Sequence, residues 1–175
     1  MSGCELCALA EGQAPFTVYE DKIVKAILVP KPASPGHMLL FPKSHHTIFE
    51  QVPDAIIQHL FVIANKLSTA VFESLNMHGT NILVHNGTAS GQQHAHFSIN
   101  ILPRNENDGL KLEWKPKQLS EEEMSTLEIL LKPHTEVLSG VAEVAEKPEP
   151  AKEQKKESLK DDSGNYLVRQ LRRIP

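Results

Sequence analysis

Apolar residues recur along this chain with two different periods, which predicts a mixture of strands and helices. Short or alternating apolar runs predict strands near residues 16–29 and 38–42, with three prolines and Gly36 between them. Two later runs, 81–85 and 94–102, predict further strands. The elements closest in sequence are short and separated by turn residues, so a mostly antiparallel sheet is expected.

Two helices are predicted by period and capping. From Asp54 to Leu75 apolar residues recur at three-to-four spacing: Ile56, Leu60, Ile63, Leu67, Val71 and Leu75. A shorter helix is expected from Ser120, a good N-cap followed by acidic residues, to about Leu131. The predicted fold is therefore α+β, with one long and one shorter helix.

Composition limits the class of protein. The chain has 175 residues, 40% of them hydrophobic, which suits one domain with a substantial core. A net charge of −4 gives no indication of nucleic-acid binding. No apolar run approaches about 20 residues and no signal pattern opens the chain, so no membrane segment is expected. Two closely spaced cysteines fit a reducing compartment, and the expected location is the cytoplasm.

The composition changes near residue 140. Residues 139–164 are rich in Lys, Glu and Pro and are expected to form a disordered linker after a domain spanning 1–138. Residues 165–175 return to apolar and basic side chains, with Leu167, Leu171 and Ile174 on one helical face. Such a segment on a tether is typical of a docking motif for a partner.

The most informative motif lies between Gly91 and Arg104, where Gly-Gln leads into His-Ala-His and the stretch closes on Pro-Arg. It resembles the signature strand of the histidine triad (HIT) superfamily. Three other segments match in order: Cys4-Glu5-Leu6-Cys7, Val18-Tyr19-Glu20-Asp21, and Gly36-His37-Met38-Leu39-Leu40-Phe41-Pro42-Lys43-Ser44-His45. The first is similar to the opening of the zinc-containing branch. The resemblance implies a HIT-like fold, nucleotide chemistry and a homodimer.

Both ends of the signature place the triad at His96, Ser98 and Asn100. A rival register shifts by two residues and puts His96 at the middle, nucleophilic position. In an extended strand His94, His96, Ser98 and Asn100 all share one face, so alternation alone does not separate the two.

The cysteine pair is ambiguous by itself between a redox pair, a metal half-site and two thiols without a role. Cys4 and Cys7 are the only cysteines, so a tetrahedral zinc site needs histidines to complete it. The resemblance supplies His45 and His96, with His46 as the rival to His45. Four protein ligands would make such a zinc site structural.

Three departures from the family pattern bear on catalysis. Ser98 stands at the nucleophile position and needs a general base to act, while Asn100 cannot accept a proton. Val29 stands where the family has an aspartate that accepts hydrogen bonds from the ribose hydroxyls. Together they indicate a catalytic centre that has lost its nucleophile.

Part of the phosphate-binding loop is retained. Asn86, Gly87, Gly91 and Gln92 match family positions that contact phosphate, and a glycine-rich loop can offer backbone N–H groups to an anion. Asn86-Gly87 is also an ordinary turn signal.

The leading hypothesis is a HIT-family module that binds a nucleotide or phosphate, such as a purine nucleotide, with structural zinc and little or no catalysis. One alternative is an active nucleotidyl hydrolase or transferase that uses His96 or His94. A second is a zinc-stapled dimeric scaffold.

Overall fold

The computed structural model describes residues 3–12, 14–135 and 138. It divides into a unit spanning Met1–Trp114 and a second spanning Lys115–Pro175. The predicted linker and docking segment, residues 139–175, lie outside the described residues.

The first unit is a mixed α+β domain, as the sequence predicts. Its elements are α1 (Glu5–Glu11), β1 (Thr17–Glu20), β2 (Val24–Leu28), β3 (Met38–Pro42), α2 (Asp54–Leu75), β4 (Gly79–Val84) and β5 (Ile99–Arg104). Short 3-10 turns span Phe49–Gln51 and Thr88–Ser90. The strands form an antiparallel sheet in the order β1-β2-β3-β5-β4.

One expectation about local structure is wrong, and one helix was not predicted. The strand predicted for 94–102 begins only at Ile99, because residues 94–96 form a bend. The sequence reading also did not predict α1, a seven-residue helix whose signal is the spacing of its two buried residues, Leu6 and Ala10. A helix this short is marginal by itself, so its packing decides that it forms.

The two faces of the sheet are covered differently. Side chains from β2, β3 and β5 on one face pack against the apolar face of α2: Val24, Ala26, Met38, Leu40, Ile99 and Ile101. On the other face Ile27, Leu39 and Phe41 pack against Leu6 and Ala10 of α1, with Ala14 and Val29 at the edge of the cluster. Because α1 is short, part of this second face stays open.

The long helix fits the predicted core role. By length and composition α2 is apolar enough to cross a membrane, with a mean hydropathy of 1.4, which corrects the expectation that no segment qualifies. Six of its side chains are nevertheless buried in the domain, and the core helix of a globular protein passes the same test. The helix ends at Asn76, whose φ of 51° is left-handed.

The second unit contains α3, Glu121–Thr135. Ser120 caps it as predicted: the Glu123 N–H donates to Ser120 Oγ at 3.2 Å, and Glu123 accepts from the Ser120 N–H at 2.8 Å. This reciprocal pair is a capping box.

Candidate metal cluster and adjoining cavity

The metal cluster is built from the short helix and the end of the sheet. Leu6 and Ala10 anchor α1 on the open face, and Cys4 and Cys7 lie one turn apart at its beginning. Residues three apart on a helix share a side, so both thiols point the same way. They meet His45, just after β3, and His96, just before β5.

The distances in this cluster suit a tetrahedral metal ion. Cys7 Sγ lies 3.2 Å from His45 Nδ1, and His96 Nδ1 lies 3.5 Å from each sulfur. All four ligand atoms lie within 4.8 Å of one another. Tetrahedral zinc with ordinary Zn–S and Zn–N bonds would separate sulfur and nitrogen by about 3.5 Å. The cluster can therefore bind a metal ion, and its donor set suits zinc.

His96 is prepared as a ligand by its own hydrogen bond. Its Nε2–H donates to the carbonyl oxygen of Pro42 at 2.9 Å, which leaves the Nδ1 lone pair directed at the sulfurs. The ring is fully buried, and burial lowers the pKa of His96 despite that hydrogen bond. Burial and the nearby Cys4 raise the pKa of Cys7. Metal binding would therefore meet a neutral imidazole and displace a thiol proton.

His45, and not its neighbour, lies in the cluster. The His46 ring lies against the Ser44 hydroxyl, with Nε2 2.9 Å from Oγ. The two adjacent side chains therefore have different partners.

A separate cavity of about 440 Å³ occupies the open part of the same sheet face. The cavity walls come from the three strands β3, β4 and β5. The segment after β2, the loop before β5 and the segment after β5 complete them. They are formed by Val29, Lys31, Pro32, Ala33, His37, Leu39, Leu83, His85, Gly91, Gln92, Gln93, His94, Ser98, Asn100, Leu102, Leu110 and Leu112.

The structure separates the four residues that alternation placed together. His94, Ser98 and Asn100 line the cavity, whereas His96 does not and lies in the metal cluster. The bend at residues 94–96 permits this divergence. His94 is held at the rim, with its Nδ1 3.5 Å from Glu5 Oε2 of α1.

Asn100 is paired with His37, a residue that the sequence reading did not single out. The Ala33 N–H donates to His37 Nδ1 at 3.3 Å, so Nε2 carries the proton and donates to Asn100 Oδ1 at 3.1 Å. Burial lowers the pKa of His37, partly opposed by Asn100. The one sequence signal was its place in the Gly36–His45 motif.

No base is hydrogen-bonded to Ser98 among the described residues. In the part of the chain that the structure describes, no hydrogen bond to its hydroxyl is found, and the nearest histidine in sequence, His96, donates to Pro42. A serine hydroxyl needs a positioned base to become a nucleophile.

The loop before β5 is held by Gln92. Its Oε1 accepts from the Gly87 N–H at 2.7 Å, and its Nε2 donates to the carbonyl oxygens of Thr47 and His94. Gly91 precedes it with a left-handed φ of 86°. Both Gly91 and Gln92 line the cavity.

Asn86 and Gly87 do not line it. Asn86 Oδ1 accepts from the Phe49 N–H at 2.9 Å, and its Nδ2 donates to Glu50 Oε1 at 2.8 Å. These bonds tie the loop to the turn before α2. A phosphate contact from Asn86 stays a prediction. It would require the Asn86 side chain to give up its hydrogen bonds to Phe49 and Glu50.

The outer wall depends on Arg104, the last residue of β5. Its guanidinium donates to Asp108, to Asn81 Oδ1 and to the carbonyl oxygen of Leu110. The returning segment is thereby fixed so that Leu110 and Leu112 face Leu83 and Leu102 across the cavity. Val29 also lines the cavity, and we call the part of the wall formed by these apolar side chains the apolar end.

Comparisons with known proteins agree with this architecture. Residues 11–107 match the family model of the HIT domain. An uncharacterised HIT-like protein of Methanocaldococcus jannaschii is 36% identical over 107 residues, which are 61% of this chain and 82% of that protein. An adenylylsulfatase of Arabidopsis thaliana is 34% identical over 108 residues, but the match spans only 55% of its length and 61% of this chain.

A solved relative carries metal. The zinc-bound histidine triad family protein of Mycobacterium smegmatis superposes with a TM-score of 0.59 at 28% identity, covering 77% of this chain and 97% of that one. With a family model matching more than half of its residues, this chain belongs to the HIT domain family.

Proposed function

We propose that this protein is a HIT-family binding module for a nucleotide or related phosphate, with structural zinc and without a histidine nucleophile. The observation that carries the proposal is the separation of two sites on one sheet face. Ser98 and Asn100 line the cavity, while His96 joins Cys4, Cys7 and His45 in the metal cluster.

The proposed zinc has a structural role. Four protein ligands fill a tetrahedral shell and leave no position for substrate or water. The ion would fasten α1, which has a small buried face, to the ends of β3 and β5. Zinc would therefore stabilise the sheet that carries the cavity and would supply no Lewis acid to it.

The direct test is calorimetric titration of the full-length, zinc-replete protein with AMP, GMP and a diadenosine polyphosphate. Micromolar binding by any of them supports the proposal. Ala33→Trp should abolish the heat because it fills the cavity from an exposed wall residue, and Ala55→Trp on the exposed side of α2 serves as the control. No heat with any ligand would remove the nucleotide role and favour the scaffold alternative.

An active hydrolase or transferase remains the second candidate, because the Arabidopsis relative is named an adenylylsulfatase and His94 lines the cavity here. A turnover assay on phosphoramidates and dinucleoside polyphosphates separates the two. On the binding-module proposal Ser98→Ala changes little. A hundredfold loss in that variant would show that the serine takes part in the chemistry.

Assembly and location complete the proposal. We expect a cytoplasmic homodimer; β4 lies at one edge of the described sheet with Ile82 40% exposed, and an open edge can pair with a second copy. Residues 165–175 are proposed to dock on a protein partner. Light scattering of the full-length protein tests the dimer, and deletion of residues 165–175 tests whether the segment is needed for it.

A further inference from the structure

The charge of the cavity wall is one-sided. The titratable residues among its lining are Lys31, His37, His85 and His94, and no aspartate or glutamate of the described chain is among them. A wall with a lysine ammonium and no carboxylate favours an anionic ligand.

Part of the acceptor capacity of the cavity wall is already used within the protein. Two of its amide oxygens are already acceptors, Gln92 Oε1 for Gly87 and Asn100 Oδ1 for His37. Val29 at the apolar end accepts nothing through its side chain. In proteins that read a free ribose diol a carboxylate accepts from it, and a nearby cation replaces that acidic group where the sugar carries a phosphate.

The strand register places His85 and Lys31 at opposite ends of the cavity. His85 follows β4 at the level of Ser98, because Val84 pairs with Ile99. Lys31 follows β2 at the opposite end, since Leu28 pairs with Met38, which pairs with Ile101. Ser98 and Leu102 are separated by about 13 Å of strand. The flexible stem of Lys31 can shorten the distance between its ammonium group and the His85 ring.

His85 has a defined orientation at its end. Its Nδ1 lies 2.7 Å from the carbonyl oxygen of Ser90, which can only accept, so Nδ1 carries a proton. The Nε2 atom has no recorded hydrogen-bond partner among the described residues and is available to a ligand. Lys31 is exposed and forms no ion pair within the same part of the chain.

Resting on the proposed function, we infer that the cavity prefers a nucleotide with two anionic groups. One phosphate would lie at the His85–Ser98 end, and the second, on the sugar, would face Lys31. The ligand class is a nucleoside bisphosphate rather than a nucleoside monophosphate with a free diol.

The test compares AMP, 2′-deoxy-AMP and adenosine 3′,5′-bisphosphate by calorimetry on the full-length, zinc-replete protein. The bisphosphate should bind up to about fivefold more tightly than AMP, which is the contribution of about one partly exposed ion pair. The two monophosphates should bind alike, because no carboxylate reads the 2′-hydroxyl.

Two variants assign the preference to Lys31. Lys31→Met should remove the advantage of the bisphosphate over AMP. Lys22→Met, an exposed lysine in the turn before β2 that does not line the cavity, should keep it. Val29→Asp should shift the preference toward AMP by adding an acceptor and repelling the second phosphate.

The outcomes separate the two proposals. AMP binding as tightly as the bisphosphate, or an unchanged preference in Lys31→Met, overturns this inference and leaves the binding module standing. No binding of any of the three nucleotides, with intact folding and zinc content, overturns this inference, and the binding module falls with it only if GMP and the diadenosine polyphosphate also give no heat.

Discussion

His37 and Asn100 are joined across β3 and β5, with Nε2–H of the histidine donating to Oδ1 of the asparagine at 3.1 Å. The sequence predicts Asn100 at the third triad position, and in the structure its side-chain oxygen accepts from His37. The tautomer of His37 is fixed from the other side by the Ala33 N–H.

Asn100→Ala should lower the pKa of His37 further. Burial already lowers it, and Asn100 is the group that opposes the shift. The loss of a partner for a partly buried N–H should also reduce the free energy of unfolding by about 1–3 kcal/mol. A histidine titration followed by NMR measures the first effect. Gln93→Ala, in the same cavity but without contact to His37, is the control; an unchanged titration of His37 in Asn100→Ala would contradict the assigned hydrogen bond.

His96→Ala should lower the zinc content of the purified protein and its thermal stability together, since the proposed ion would fasten α1 to the sheet. Metal analysis after dialysis and a melting curve check this. His46→Ala is the matched control, because it lies next to a ligand yet outside the cluster. Full zinc occupancy in His96→Ala would mean that the cluster is not the binding site.

Asp21 should make the domain sensitive to acid. Burial acts to raise the pKa of Asp21, but hydrogen bonds from the Val24 and Ile23 N–H groups, His59 and Tyr19 outweigh it and hold the pKa well below its usual range. Because the folded pKa lies below the unfolded value, this stabilisation is complete at neutral pH and is lost as the pH falls below about 4.

Asp21→Asn should accordingly reduce the free energy of unfolding at pH 7 by on the order of 2 kcal/mol and flatten its dependence on acid pH. Denaturant unfolding between pH 3 and 7 measures both. Glu73→Gln, an exposed substitution on α2, should retain the wild-type slope. An equally steep loss below pH 4 in Asp21→Asn would assign the acid sensitivity to other groups.

Gly36→Ala should destabilise the domain by about 1–3 kcal/mol. Its φ is 83°, and an added Cβ would lie 2.7 Å from Leu75 Cδ1 and 3.2 Å from Pro103 Cγ. Gly79→Ala has open space and an ordinary φ, so it should be tolerated. Equal melting temperatures for the two variants would show that α2 can shift away from the turn at little cost.

The elements that the sequence predicted well are those fixed by local period. The bounds of β3 and α2 agree with the apolar pattern because each buries a regular set of side chains. The cluster residues Cys4, Cys7, His45 and His96 are brought together as the motif resemblance implied.

What the sequence did not predict depends on tertiary contacts. Alternation placed His96 with Ser98, but the Phe97 N–H donates to the His46 carbonyl oxygen, and the chain bends where a ladder was expected. The pairing of His37 with Asn100 joins residues 63 positions apart, which no local period reports. Asn86 matched a phosphate-binding position, yet its side chain is occupied by Phe49 and Glu50.

Only the buried Phe97 separates His96 in the metal cluster from Ser98 in the cavity wall. One short piece of backbone therefore belongs to both sites, and a ligand that favours its metal-bound arrangement must tighten zinc by the same factor that zinc tightens the ligand. On the proposed function, removing zinc from the cluster would then weaken ligand binding in the cavity by the factor by which the ligand tightens zinc.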